Sequence, residues 1–284
     1  MISKRLIFVF IFSLSWALFI FFGKLALRAG DPPMASTLQL LIISNILLFL
    51  ICLPNIKKIT KISLRQFWIL ALIGICIGIA TLLNYYGLRL STSINYSFLT
   101  QSLMIYGCVL AVIFLKEKWD WKKTLLIISF LIGAYLITAQ GSLIIPHTGD
   151  ILILIGALFL AFNSIIQKPL LTAGLDAGII SLYRSIFATL AILIIFPFII
   201  KDFHIFQGGI YILLAGISYA FMTLFLSKTL AVASVQYQAL MSNIMPVIVV
   251  VLGVVFLGEN FSIFHAIGGG LIILSSIFVL KLKI

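Results

Sequence analysis

Residues 12–30 read FSLSWALFIFFGKLALRAG and residues 158–174 read LFLAFNSIIQKPLLTAG. Each is an apolar run that carries a lysine near its end and closes, after four intervening residues, with Ala-Gly: Lys24 before Ala29-Gly30, and Lys168 before Ala173-Gly174. A single lysine late in an apolar run reads as a side chain snorkelling to water. Two at the same place in similar runs half a chain apart read as a duplicated architecture, with both lysines as interfacial anchors.

The composition sets the class. Hydrophobic residues make up 63% of the 284-residue chain and charged residues 9%, whereas an average soluble domain is roughly half apolar and about one quarter charged. The chain reads as an all-α integral membrane protein. A span needs about 20 residues at 1.5 Å rise, and ten apolar runs approach that length: 6–23, 34–53, 67–87, 93–115, 124–139, 151–167, 178–200, 210–227, 234–257 and 263–280. They are expected to be helices, because hydrocarbon offers the backbone no hydrogen-bond partner and the runs lack the alternation of barrel strands. The loops are short and leave no room for a soluble catalytic module.

Lys4-Arg5 followed by an apolar stretch also resembles a secretory signal peptide. Cleavage there would remove one member of the repeated pair, so the span reading is preferred. Cys52, Cys76 and Cys108 fall inside predicted spans without metal-ligand spacing and read as packing residues. The net charge of +12 does not gather on one soluble face as a nucleic-acid footprint would. Topology accounts for it better. With the N-terminus in the cytoplasm, fourteen lysines and arginines lie inside, from Lys4 and Arg5 through Lys57, Lys58, Lys61, Arg65, Lys116, Lys118, Lys122 and Lys123 to Lys281 and Lys283. Four, Lys24, Arg28, Arg89 and Lys201, lie outside, and the positive-inside rule favours both termini cytoplasmic.

The halves align along the chain. FLKEKW at 114–119 matches FLGENF at 256–261, pairing Glu117 with Glu259 at an offset of 142, and Pro54 pairs with Pro197 at 143. The units are residues 1–142 and 143–284. Five spans in each, an odd number, place the second half upside down relative to the first. Two inverted five-helix repeats are a hallmark of secondary transporters, which alternate access to a midplane site.

YYGLRLSTS at 85–93, leading into a helix that ends FLKE, and its counterpart TLAVASVQYQALMSNIMPVIVVVLGVVFLGE at 229–259 resemble the drug/metabolite transporter superfamily, in particular its EamA-like family, over nearly the whole chain. The resemblance implies a carrier of small organic metabolites in the cytoplasmic membrane, often an exporter of amino acids. Helices of this position in the family usually hold a proline. Here the ninth span has one, Pro246, in mid-helix, while Met104 stands at the related place in the first half, so only the ninth span is expected to kink.

An ionisable group inside a span is a functional candidate by default. The acids Asp31, Glu117, Asp120, Asp150, Asp176, Asp202 and Glu259 all sit in or beside loops, with Glu117 and Glu259 read as marks of helix ends. Arg184, the deepest cation, is expected to snorkel or to pair with Asp176, with attraction of a substrate carboxylate as the other reading. Uncharged polar residues in mid-span point to helix contacts or a wet cavity. The candidates for substrate binding are Trp16, Asn84, Tyr85, Tyr96, Gln101, Asn163, Gln167, Tyr219, Gln238 and Asn243. Ser13, Ser15, Asn95, Thr100, Tyr237 and Ser242 stand near them. Tyr96 and Gln238 are related by 142, as are Gln101 and Asn243. Such a lining suits a zwitterion or another polar solute with an apolar part; interhelical hydrogen bonding is the other reading for each residue.

Trp119 and Trp121 read as interfacial anchors, Gly74 and Gly78 as a GxxxG packing pair, and Pro246, Gly253 and Gly107 as bends. His147, His204 and His265 lack metal-ligand spacing and no Ser/His/Asp or Cys/His arrangement stands out, so no catalytic residue, metal or cofactor is expected. The expected partners are a small-molecule substrate and the lipid bilayer, not nucleic acid, with the chain a monomer or homodimer. Export by alternating access is the preferred function; uptake or exchange of a nutrient or nucleotide-like metabolite on the same fold is the alternative.

Overall fold

The computed structural model describes residues 2–55, 62–115, 121–139, 147–199, 207–233, 238 and 242–281. Lys57, Lys58, Lys61, Lys116, Glu117, Lys118, Trp119, Asp120, Lys201, Asp202, His204, Tyr237 and Lys283 lie outside the described residues. The rest is helical, with no strand among the described residues. In chain order the helices are α1 (Ile2–Arg28), α2 (Pro33–Cys52), α3 (Leu64–Leu90), α4 (Ser93–Leu99), α5 (Ser102–Leu115), α6 (Trp121–Ala139), α7 (Thr148–Thr172), α8 (Ala177–Ile199), α9 (Ile210–Val232), α10 (Ile244–Leu257) and α11 (Ile263–Lys281). Six of them, α1, α2, α3, α7, α8 and α9, are long and apolar enough to cross a membrane.

Local chemistry sets the ends. Pro33 opens α2, where a missing N–H costs nothing. Ser63 and Gln66 form a reciprocal capping box on α3, the Gln66 N–H donating to Ser63 Oγ at 3.3 Å and the Ser63 N–H to Gln66 Oε1 at 3.0 Å. Gly258 closes α10 at φ +63°, a left-handed conformation that suits glycine. Large apolar side chains such as Trp68, Leu72, Leu131, Ile194, Val251 and Val255 point outward, as a lipid-facing surface requires.

The fourth run, expected to be one continuous helix, is broken. Thr100 and Gln101 separate α4 from α5, and the chain tightens there to bonds between residues three apart, Gln101 to Phe98, Leu103 to Thr100 and Met104 to Gln101. Side-chain hydroxyls take up carbonyls at the break: Thr100 Oγ1 donates to Tyr96 O at 2.9 Å and Ser97 Oγ to Ile94 O at 2.7 Å. The second half breaks at the related place. Met245 N bonds Ser242 O, the counterpart of Leu103 on Thr100 at an offset of 142. Pro246 therefore lies not in mid-helix but in the first turn of α10, a position where it removes no helical hydrogen bond. The break needs no proline, which is why the first half has it too.

The halves interlock. α1 packs most extensively on α9, and α7 on α3, so the first helix of each half lies along the third helix of the other. α3 also packs along α8 and α9 along α2, a second related pair. The GxxxG pair sits in the first of these contacts: a Cβ on Gly74 would stand 2.3 Å from Phe187 Cβ and 2.8 Å from Arg184 O, and one on Gly78 3.0 Å from Ala188 O. These two glycines let α3 approach the turn of α8 that carries Arg184. Gly253 likewise makes room for Glu259 and Ser93 rather than a bend, whereas no atom of the described residues lies within 4 Å of a Cβ on Gly107.

Candidate functional site

The interlocked helices enclose a cavity with a water-accessible volume of about 40 Å³. α1 contributes Phe12, Trp16 and Phe19; α3 Ile77, Thr81 and Asn84; α4 and α5 Tyr96 and Leu103; α7 Leu160, Asn163 and Ser164; α8 Arg184; and α9 Tyr219, Met222, Thr223 and Leu226, with Gln238 beside them. The lining is duplicated in position and, apart from one threonine pair, not in chemistry. Trp16 faces the cavity with Leu160, and Phe19 with Asn163, both at an offset of 144; Ile77 does so with Tyr219, Thr81 with Thr223, Asn84 with Leu226 and Tyr96 with Gln238, all at 142. Related turns of both halves thus converge on one space. A few waters fit into it, and it is smaller than the roughly 300–1,000 Å³ usual for pockets that bury a small organic ligand.

Six of the ten sequence candidates, Trp16, Asn84, Tyr96, Asn163, Tyr219 and Gln238, line this cavity. The other four lie behind it. Tyr85 is fully buried beside Phe19, with ring centres 5.8 Å apart. Gln167 Oε1 accepts from Arg184 and from Ser227 Oγ, each at 3.3 Å. Gln101 and Asn243 occupy the two helix breaks, where Gln101 Nε2 reaches Ser242 O at 3.4 Å across the halves.

The aromatic wall is continuous. Phe12 and Trp16 lie 5.3 Å apart, Phe19 and Tyr219 5.3 Å, and the Trp16 indole N–H donates to the Tyr96 hydroxyl. Thr81 spends its own hydrogen on Ile77 O at 2.8 Å, so the 3.2 Å contact with Tyr219 has the tyrosine hydroxyl as donor.

Arg184 is the residue that sequence reasoning placed wrongly. It neither snorkels nor pairs with Asp176, which instead accepts from Gly178 N and Ile179 N and caps α8. Arg184 is 1% exposed. Its Nη1 donates to Asn163 Oδ1 at 3.2 Å and Gln167 Oε1 at 3.3 Å, and its Nη2 to Thr223 O at 3.2 Å. Every one of these acceptors is uncharged. The role was hidden because Arg184 has no cationic counterpart in the first half to mark it. Thr81 and Thr223 were also missed, although their offset of 142 marked them.

The two repeat-related lysines are not snorkelling anchors either. Lys24 Nζ donates to Leu88 O at 2.7 Å and Ser91 O at 2.5 Å, at the end of α3. Lys168 Nζ donates to Leu230 O at 2.6 Å and Ala233 O at 2.8 Å, at the end of α9. Every acceptor in one pair is the other's counterpart at 142. Each ammonium therefore clamps the first helix of its half to the third helix of the same half by satisfying the orphan carbonyls at that helix's end. The buried clamp is the stronger: Lys24→Met is expected to cost about 2 kcal/mol and Lys168→Met, which is partly exposed, about 1 kcal/mol. Thermal unfolding of the purified variants measures the difference, and equal losses would remove the distinction.

Around the Lys24 clamp one end of the bundle is tied shut. Arg28 Nη1 donates to Leu257 O at 2.7 Å and Arg89 Nη1 to Asp31 O at 3.1 Å. Glu259 accepts from Ser93 N at 2.9 Å, Ser93 Oγ at 2.7 Å and Ile94 N at 3.1 Å, capping α4 from the other half. His265 Nδ1 accepts from Ser262 N at 3.0 Å, which places the proton of a neutral ring on Nε2, donating to Asn95 Oδ1 at 2.9 Å. Asn95 in turn reaches Asp150, which also takes a bond from Ser91 Oγ. Asp150 is thus a buried member of the first turn of α7 rather than a loop acid.

A model of the EamA-like transporter family matches the sequence twice, over residues 3–139 and 147–281. Among solved structures, a crystal structure described only as that of a protein is similar over 99% of this chain and 97% of its own, with a TM-score of 0.68 at 16% identity, a likeness of fold alone. No curated protein matches the sequence.

Proposed function

Because the chain belongs to the EamA-like transporter family and is a multi-pass membrane protein of that drug/metabolite transporter class, we propose that it is a secondary carrier of small organic metabolites, exporting amino acids or related compounds by alternating access. The observation that carries this reading is the duplicated lining of the cavity. Where related positions of two halves meet around one space, an exchange of conformations between the halves opens that space first to one side and then to the other.

In this reading the chain crosses the cytoplasmic membrane ten times as two inverted repeats, residues 1–142 and 143–284, with both termini inside. The end tied by Lys24, Arg28, Glu259 and His265 is then the outer one. Release of solute outward breaks those bonds, and the clamp of Lys168 holds the opposite end meanwhile. The broken helices α4–α5 and α10 supply the movable segments, since their tightened turns at Gln101 and Asn243 sit beside the cavity. Trp16, Tyr96 and Tyr219 offer rings to the apolar part of the solute; Asn84, Asn163 and Gln238 offer amides to its polar part.

Flux of labelled amino acids and nucleoside-type metabolites into proteoliposomes, with and without a pH gradient and with unlabelled solute on the far side, tests the proposal. Saturable flux accelerated by solute on the far side is expected. Linear flux for every compound, from protein with an intact melting transition, would argue against a carrier. Uptake rather than export is distinguished by the direction favoured under the imposed gradient.

A further inference from the structure

Among the described residues that line the cavity, Arg184 is a cation and none is an acid. The three acceptors on its guanidinium are two amide oxygens and a backbone carbonyl. Its Nε has no hydrogen-bond partner among the described residues, and Nη2 has used one of its two hydrogens. Guanidinium groups carry five donors in a planar fork suited to carboxylates. A buried cation that lacks an anion is costly, and a carboxylate arriving in the same space removes that cost.

We infer that the solute is a small organic monocarboxylate with an apolar or aromatic body, its carboxylate held by Arg184 and its body by the rings of Phe12, Trp16, Phe19, Tyr96 and Tyr219. The inference rests on the transport reading and narrows it. An amino acid qualifies through its carboxylate, but its ammonium finds only neutral oxygens here, so the same body without the positive charge binds more tightly. The role of Arg184 is single and belongs to the second half: its position in the first half is taken by aliphatic residues of α2 around Leu41. The solute therefore binds asymmetrically, carboxylate towards α8 and body towards α1 and α4.

Four compounds with one body and four charge states test this: N-acetylphenylalanine, phenylalanine, phenylalanine amide and N-acetylphenylalanine amide. Their binding to purified protein is read as a shift in melting temperature against concentration. The expected order places N-acetylphenylalanine first, phenylalanine second, and the two amides weaker than the first by at least about tenfold, the scale of a charge-assisted hydrogen-bond pair. Arg184→Gln is expected to abolish the preference for the carboxylates, and Arg184→Lys to keep part of it. Equal binding of acids and amides, a preference that survives in Arg184→Gln, or no shift with any of the four would overturn the inference. Should Arg184→Gln not fold, the wild-type order alone decides. Countertransport of labelled N-acetylphenylalanine separates this inference from the reading beneath it. Arg184-dependent binding without saturable flux would leave the site and remove the carrier, whereas saturable flux of phenylalanine amide at the same rate would leave the carrier and remove the carboxylate site.

Discussion

Replacing Glu259 by alanine is expected to destabilise the protein by about 3 kcal/mol, since one carboxylate that accepts three hydrogen bonds, two of them from the N-terminal amides of α4, is lost from a site 8% exposed. The loss is local as well as global. α4 is only seven residues long, and a helix of that length has little stability of its own. Its capping is divided between Thr92, whose hydroxyl accepts from Asn95 N at 3.0 Å, and Glu259 from the other half. Hydrogen exchange is expected to show the amides of residues 93–99 losing protection in Glu259→Ala while those in the middle of α1 and α9 keep theirs. Glu259→Gln, which retains an acceptor without the charge, should fall between. Under the proposed alternating access, Glu259→Ala is expected to favour the conformation in which the tied end is open. Unchanged protection of α4 would remove Glu259 from the gate.

Gly74→Val is the second large effect, with an expected loss of roughly 3 kcal/mol or more, at the upper end of overpacking changes. The added Cβ meets Phe187 Cβ at 2.3 Å and the backbone oxygen of Arg184 at 2.8 Å. A backbone atom has no rotamer to move to, so α3 and α8 must separate. Separation displaces Arg184 from Asn163, Gln167 and Thr223 together, and solute binding should fall along with stability. Gly107→Ala is the control. Nothing among the described residues lies near its Cβ, and in the middle of α5 the change should be neutral or stabilising by about 0.5 to 1 kcal/mol. Apparent melting temperatures of the two variants check the contrast; similar losses in both would show that the α3–α8 approach is not the cause.

Much of this protein is legible in its sequence because membranes leave few choices. Apolar runs near 20 residues have to be helices, and each of the ten runs carries helical residues in the structure. The duplication was legible too, since Lys24 and Lys168 announced it, and the equal offset that paired Tyr96 with Gln238 and Gln101 with Asn243 pairs their places in the structure as well. Mid-span polarity led to six of the residues that line the cavity. The helix break at Thr100–Gln101 was not legible. Hydroxyls that satisfy carbonyls at a tightened turn look, as letters, like any Ser and Thr in a helix, and attention went to proline instead.

Charge was misread for one physical reason. An arginine or lysine near the end of an apolar run has two ways to avoid the cost of burial, reaching water or finding acceptors inside, and both leave the same sequence. Which one occurs depends on where the carbonyls of other helices lie. The ends of α3 and α9 bring theirs to Lys24 and Lys168, and α7 and α9 bring amide and backbone oxygens to Arg184. The sequence by itself determined the helical class, the two halves and the family, since these follow from composition, run length and offset, which are properties along the chain. Only the tertiary structure decided that the halves interlock, that the lysines are clamps and that a lone guanidinium faces the cavity, because these depend on the meeting of groups 17 to 229 residues apart, whose distances are set by packing.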